Sequence, residues 1–482
     1  MLEKLSPSPL WNNFEQITKV PRPSKREEKI LEYLKNFARE NEQSFVQDSV
    51  GNIVIYAPAT KGYENVEPVV LQSHVDMVCE KNSDIVFDFD NDPLNIYIED
   101  GFVKARGTTL GADCGIGMAI ALTLLTDKTI SHPPLEALFT IDEETGLTGA
   151  DGLDVSMLHS SRLINLDSED DGEVYVGCAG GKDTVGHFAL EYRPSPRGII
   201  AINICVDSLR GGHSGDDINK QRANAVVLLC RFLFENFNNF NMNLVHIDAG
   251  GLRNAIAREA TATITIQKST LPYFEKYFTK FVADVRNEYS TTEPSMNIRY
   301  DIADNLPDRI VERSLFLAVI TSVYTLPCGV VAFSQTLPGF VETSTNVASV
   351  KIKDEMINVT TSQRSSLNSK REYIANVVAE ILEGCGAEVE QSKGYPGWSP
   401  NSNSDLLKRF QSSYKALFKN DIKVKTVHAG LECGLFLEKA SNLDMVSVGP
   451  TILNVHSPSE MLEISTVEKF WTLITDVLKN MK

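Results

Sequence analysis

Apolar residues at Ile30, Leu31, Leu34, Phe37 and Ala38 recur at the three-and-four spacing of an amphipathic helix, and Ser24 to Glu27 just before them reads as a capping box. Shorter apolar runs follow at 52–56, 68–72, 135–141 and 163–166, each of strand length. Between the second and third lies 116–125, apolar and rich in small residues, which predicts a buried helix. Strands alternating with helices predict an α/β domain on a mixed, mostly parallel sheet.

The pattern changes near Gly180-Gly181. Longer amphipathic elements follow, among them strands at 199–206 and 262–266, a helix at 273–288 and an extended stretch at 347–359. After Tyr395-Pro396-Gly397-Trp398 the first style returns, with a helix carrying Leu406, Leu407, Phe410, Tyr414, Leu417 and Phe418, a strand at 444–448 and a helix at 467–478. The expected organisation is one α/β domain in two pieces, 1–184 and 393–482, interrupted by an α+β insertion at 185–392. The insertion is long enough for two α+β units.

Charge narrows the function classes. With 64 acidic and 46 basic residues the net charge is -18, which disfavours nucleic acid and anionic membranes as partners. The eight cysteines are scattered and never form CxxC, which argues against a disulfide framework and a thiolate zinc site and for a reducing compartment. The first residues lack a basic-then-apolar signal, and no apolar run approaches the ~20 residues of a membrane span. A cytoplasmic protein is expected.

The candidate chemistry lies where apolar strands end. His74 and Asp76 follow PVVLQS, Glu143 and Glu144 follow LEALFTID, Asp167 follows RLINL, and His456 follows MVSVGPTILNV; Asp113 directly precedes the predicted small-residue helix. In an open parallel sheet, ligands bind beyond the carboxyl ends of the strands, so these residues can converge on one crevice. Clustered carboxylates repel unless a cation intervenes. Nitrogen and oxygen ligands without thiolate suit zinc, with cobalt or manganese as alternatives. Five ligands and a shared water suit two ions ~3.5–4 Å apart, bridged by one carboxylate. Taken singly, each residue has a plainer reading: a satisfied histidine, a solvated Glu-Glu turn, a helix-capping Asp113 or an acidic loop at Asp167. The recurrence of one placement at five junctions weakens those readings together.

The phrases HVDMV, GTTLGADCGIGMA, IDEETG, LINLDSE and GPTILNVHSP resemble the ordered motifs of the aminoacylase/carboxypeptidase G metallopeptidase family. Within it, LQSHVDMV, KARGTTLGAD, VGCAGG, GGHSG, LRNAI, GYPGW and HAGLECG are similar to its Xaa-His dipeptidases, the carnosine-cleaving type, from about residue 5 to the C-terminus. The resemblance implies a zinc-peptidase-like catalytic domain whose insertion is a lid. It also implies two Zn2+ per chain, one on His74 and Asp167, the other on His456 and Glu144, with Asp113 bridging. Asp76, two residues from His74 on the same strand face, would orient its ring. Glu143 would be the general base, and His213 in RGGHSG would stabilise the oxyanion. Asn254, Asn346 and Arg364 would contact the dipeptide substrate, with Arg364 clamping its carboxylate. His428 and Glu432 in HAGLECG, four apart as on one helix face, would shape the substrate pocket, support the metal ligands from behind or serve the structure alone.

Two positions depart from the resemblance. Cys114 stands where the family more often has Asp or Asn, at a peptide bond that the resemblance implies is cis, and Ala257 stands where most relatives have Pro. Relatives with a smaller lid dimerise to complete the site; the long insertion here leaves a homodimer optional. The leading expectation is a dinuclear zinc dipeptidase favouring Xaa-His. An N-acyl amino-acid deacylase is the nearest enzyme alternative. A non-catalytic binding protein would have lost ligands or base, yet His74, Asp113, Glu143, Glu144, Asp167 and His456 are all present.

Overall fold

The run Val69–His74 is buried at every position, as a strand covered on both faces must be. It pairs in parallel with Leu135–Thr140 on one side and Arg162–Asn165 on the other, and Arg162–Asn165 pairs in parallel with Asp444–Ser447. These four strands form the middle of an eight-stranded sheet. Its edges are antiparallel: Ser44–Gln47 and Ile53–Ala57 on one side, Glu173–Cys178 against Asp444–Ser447 on the other, with Lys423–Val427 outermost. Parallel pairing is confined to the middle because it needs a long crossover, whereas the short link from Gln47 to Ile53 can only turn back.

The computed structural model describes residues 1–482 and divides into two units. The first holds Met1–Gly177, Trp398–Thr426 and Leu431–Lys482; the second holds Cys178–Gly397 and Val427–Gly430. The divisions fall at 177 and 397 rather than 184 and 392, because the strand Gly180–Ala189 pairs within the second unit's sheet.

In the first unit, the helix Ala112–Thr126 is apolar all round and buried from Cys114 to Leu125. It packs on the strand Val69–His74 and on the helix Ser8–Ile17. The helices Glu28–Glu40, Asp405–Phe418 and Ile464–Lys479 each bury one stripe, including Ile30 and Leu34, Leu406 and Phe410, and Phe470 and Ile474. Each such side chain contributes ~1.5–3 kcal/mol of burial. A four-stranded sheet of Ile96–Glu99, Phe102–Ala105, Met461–Glu463 and Ile452–Leu453 braces the segment that carries His456.

The second unit is built on a nine-stranded sheet, with two short two-stranded ladders beside it, Tyr192–Pro194 with Arg309–Val311 and Gly212–His213 with Ala255–Ile256. Alternate burial along Ile199–Asp207 and Ala260–Gln267 marks a sheet with a single core face. The helices Ala225–Asn236, Leu271–Glu288, Arg313–Thr325 and Asn368–Gly384 share that core through Leu229, Phe278, Phe316 and Val378. The extended stretch expected at 347–359 is a hairpin, Val341–Lys353 against Met356–Ser365. Its turn residues, Asp354 and Glu355, have φ of 53° and 59°, so neither glycine nor asparagine marks the reversal in the sequence. All eight cysteines are free, and no helix is long and apolar enough to cross a membrane.

Candidate active site

Left-handed turns aim the candidate residues of the first unit. His74 ends its strand. Asp142, at φ 49°, turns the chain out of Leu135–Thr140 into the single helical turn Glu143–Gly146. Gly111, at φ 63°, precedes Asp113, whose ψ of 116° breaks the helix and turns its carboxylate aside. A Cβ at Gly111 would fall 2.5 Å from the Arg22 guanidinium, so both the turn and its packing require glycine. His456 has φ 60° in the loop after Ile452–Leu453. The Asp113–Cys114 peptide is cis.

These turns, with the ends of the strands Val69–His74 and Arg162–Asn165, bring five residues together. His74 Nε2 lies 3.0 Å from Asp113 Oδ1 and 3.1 Å from Asp167 Oδ1. His456 Nε2 lies 3.2 Å from Asp113 Oδ2 and 3.0 Å from Glu144 Oε2. The two oxygens of Asp113 therefore face different imidazoles. Glu144 Oε1 and Asp167 Oδ1 are buried without a hydrogen bond, although His74 is beside the latter. Ligand atoms ~2.0–2.1 Å from a tetrahedral zinc stand about 3.3 Å apart, so this spacing and these orphaned oxygens fit bound cations.

The electrostatics show the same demand for positive charge. Burial works against a charged His74, yet Asp167, Asp113 and Asp76 outweigh it and hold the ring well above its ordinary pKa. Hydrogen bonds to Asp113 and Glu144 carry His456 up to about 11 against burial. Burial pushes Asp167 up to about 6. Burial also lifts Glu143 well above the carboxylate range, with Asp167, Glu432 and Glu144 adding to the effect and His74 opposing it.

Asp76 meets His74 Nδ1 twice, through its backbone oxygen at 3.2 Å and its carboxylate at 3.4 Å. Its carboxylate also accepts the amides of Glu143 and Glu144 and the Ser24 hydroxyl. Ser24 is thus no helix cap: the helix starts at Glu28 without a side-chain cap, and Glu27 accepts the amides of Lys25 and Asp142. The hydroxyl goes to the buried carboxylate, which offers a charge-assisted bond.

Several supporting residues escaped the sequence reading. Arg22, 1% exposed, donates to the carbonyls of Val75, Asp76 and Gly111 and so ties the loops of His74 and Asp113 together. Glu460 accepts the amides of Leu110, Gly111, Ala112 and Asp113. Beneath the site runs a buried polar belt. Glu432 accepts from Gln72 and Thr140, Asn165 donates to Gln72, and Ser447 donates to Asn165. A signal existed for part of this belt: Gln72 and Asn165 each lie two residues before His74 and Asp167, polar inside apolar strands. Burial raises Glu432 to about 8. Glu169 is likewise pushed up to about 8 by burial, with Asp113 and Asp167 adding.

The remaining candidates lie in the second unit. His213 pairs with Ala255 in a two-residue ladder, and the Ser214 amide donates to the Asn254 carbonyl. Asn346 donates to the Ala255 carbonyl, and Asp216 lies 3.2 Å from His213 Nδ1. A Cβ at Gly215 would fall 2.1 Å from the His428 carbonyl oxygen, which explains the glycine in GGHSG. Burial lowers His428 to about 3, with Arg364 and His213 assisting, and its Nε2 meets the Ser344 hydroxyl at 2.7 Å. Arg364 is buried, bonds to the Tyr395 hydroxyl at 3.0 Å, leaves Nε unpartnered and has no ion pair. The expected helical pairing of His428 with Glu432 is not formed: the helix begins at Glu432, so His428 lies in the turn before it.

Comparison with known proteins adds four findings. The profile of peptidase family M20/M25/M40 matches residues 70–480. The chain is 40% identical over 480 residues to the cytosol non-specific dipeptidase of Escherichia coli, covering 99% of this chain and 98% of that one. It is also similar to the crystal structure of aminoacylhistidine dipeptidase from Vibrio alginolyticus, with 39% identity, a TM-score of 0.94 and coverage of 99% and 98%. An aminopeptidase structure from Bacillus cereus, at 15% identity, TM-score 0.57 and 99% coverage of both chains, shares the fold.

Proposed function

The chain belongs to peptidase family M20/M25/M40 and is a hydrolase; from that premise we propose that it is a cytosolic metal-dependent dipeptidase acting on Xaa-His among other dipeptides. The observation that carries this reading is Asp113, whose two oxygens face His74 and His456 at 3.0 and 3.2 Å. His74 and Asp167 would hold one cation, His456 and Glu144 the other, and Asp113 both. Zinc suits this donor set, as do cobalt and manganese. Cations bound there lower the pKa of water toward ~7 and polarise the scissile carbonyl.

The rest of the reaction belongs to the chain's own residues. Glu143 takes a proton from the attacking water and returns it to the leaving amine as the peptide bond breaks. Its place beside Glu144, on amides held by Asp76, supports that role. His213 would stabilise the oxyanion. Arg364 would bind the substrate carboxylate: a buried guanidinium without an ion pair supports it. Asn254, Asn346 and His428 would line the substrate's path, and the second unit would act as the lid.

The test is a substrate panel with the metal-loaded protein: Xaa-His dipeptides, other dipeptides and N-acyl amino acids, each with and without chelator. Dipeptide hydrolysis that chelator abolishes is expected. Hydrolysis of N-acyl amino acids alone would replace this reading with a deacylase. Absence of both bound metal and hydrolysis would leave a binding protein.

A further inference from the structure

The carboxylates around the candidate centre are nearly all occupied. Asp113, Glu144 and Asp167 face the imidazoles, and Asp76 spends its oxygens on Ser24 and two amides. Glu460 is spent on four amides and Glu432 on Gln72 and Thr140. Glu143 is assigned to the proton. Glu169 is different: its side chain makes no hydrogen bond and no ion pair, although the residue is half-buried. It lies two residues beyond Asp167, and its carbonyl accepts the Ile452 amide at 3.0 Å, which ties it to the loop that carries His456.

A dipeptide brings an ammonium to this region. Its α-nitrogen is two bonds from the scissile carbonyl carbon, so it lies within about one residue's length, ~3.8 Å, of the reacting atoms. An ammonium so near bound cations is repelled unless an anion accompanies it. We propose that Glu169 binds the α-ammonium group of the dipeptide and thereby separates dipeptides from acylated amino acids, an inference that rests on the dipeptidase reading above. An acylated amino acid presents no such charge and would leave Glu169 desolvated and unpaired, which disfavours it.

The experiment compares alanyl-histidine with propionyl-histidine, which differs only in lacking the amine, on zinc-loaded wild type, Glu169→Gln and Glu169→Asp. Wild type should prefer alanyl-histidine. In E169Q, kcat/KM for alanyl-histidine should fall by ~10-fold or more, mainly through KM, as expected for a lost bond to a charged group. Propionyl-histidine should stay within about threefold, the range of a substitution touching nothing essential. E169D, which keeps the charge, should recover part of the preference. An equal fall for both substrates in E169Q, or none for alanyl-histidine, would overturn the inference alone. A wild type that prefers propionyl-histidine would overturn the dipeptidase reading and the inference with it.

Discussion

Asp76 holds the backbone of Glu143: its carboxylate accepts the Glu143 amide at 3.0 Å and, through the other oxygen, the Glu144 amide at 3.2 Å. One side chain at the end of one strand thus sets the turn that follows another. Burial alone would raise the Asp76 pKa, but bonds from His74, Ser24 and the Glu143 amide carry it down to about 2, so it stays ionised at any working pH. Asp76→Ala should therefore weaken metal binding ~10–100-fold and lower kcat together, because it releases His74 and both glutamates. Metal titration alongside steady-state kinetics checks this. Unchanged metal affinity would confine Asp76 to a structural role.

Glu143 should separate from its neighbour in the same assays. Glu143→Gln keeps the turn and adds no charge, so metal content should match wild type while kcat falls by at least ~10²-fold. Glu144→Gln should instead lose metal. A Glu143→Gln protein with near-normal turnover would remove Glu143 from proton transfer.

Metal removal should cost stability as well as activity. Asp113, Glu144 and Asp167 crowd around two imidazoles, and without a cation only histidine protonation offsets their repulsion. Metal at 100 times its dissociation constant should add about 2.7 kcal/mol to the stability of the folded state. Thermal unfolding with and without chelator reads the effect. An Asp113→Ala protein should show little of it.

Glu460 links the far end of the chain to Asp113. Glu460→Ala leaves the amides of Leu110, Gly111, Ala112 and Asp113 without this acceptor in a buried setting. Each unmet buried donor costs ~1–3 kcal/mol, so metal-free protein should lose at least ~3 kcal/mol in denaturant titrations. Metal affinity should fall too, since these amides hold the loop that aims Asp113.

What the sequence made legible was local. Acids and histidines directly after apolar runs mark strand ends, and the runs themselves mark the parallel centre of the first sheet. The same local spacing misled at Ser24 and Glu27, where a capping-box pattern met a better acceptor, Asp76, 52 residues further on. Glu460 acts at a separation of about 350 residues and Arg22 at 53 to 89. Nothing in their surroundings distinguishes them from surface charges until the chain has folded. Glu169 was hidden inside the acidic run DSEDDGE, where composition reads as a solvated loop.

The second unit carries its own pH dependence through His428. Burial, with Arg364 and His213, lowers its pKa to about 3 from an ordinary 6.5, and Asp216 offsets only part. Between those values the unfolded chain binds a proton that the folded chain refuses. Folding stability from this group is therefore complete above pH 6.5 and is lost as pH falls toward 3, by up to ~1.4 kcal/mol per unit. His428→Gln cannot take up that proton in either state. Its melting temperature should fall less steeply than that of wild type between pH 6.5 and 4.5, with the two curves running parallel above pH 7. Parallel curves across the whole range would mean that His428 protonates in the folded protein at little cost, and that the Ser344 hydroxyl, 2.7 Å from its ring, serves as an acceptor there.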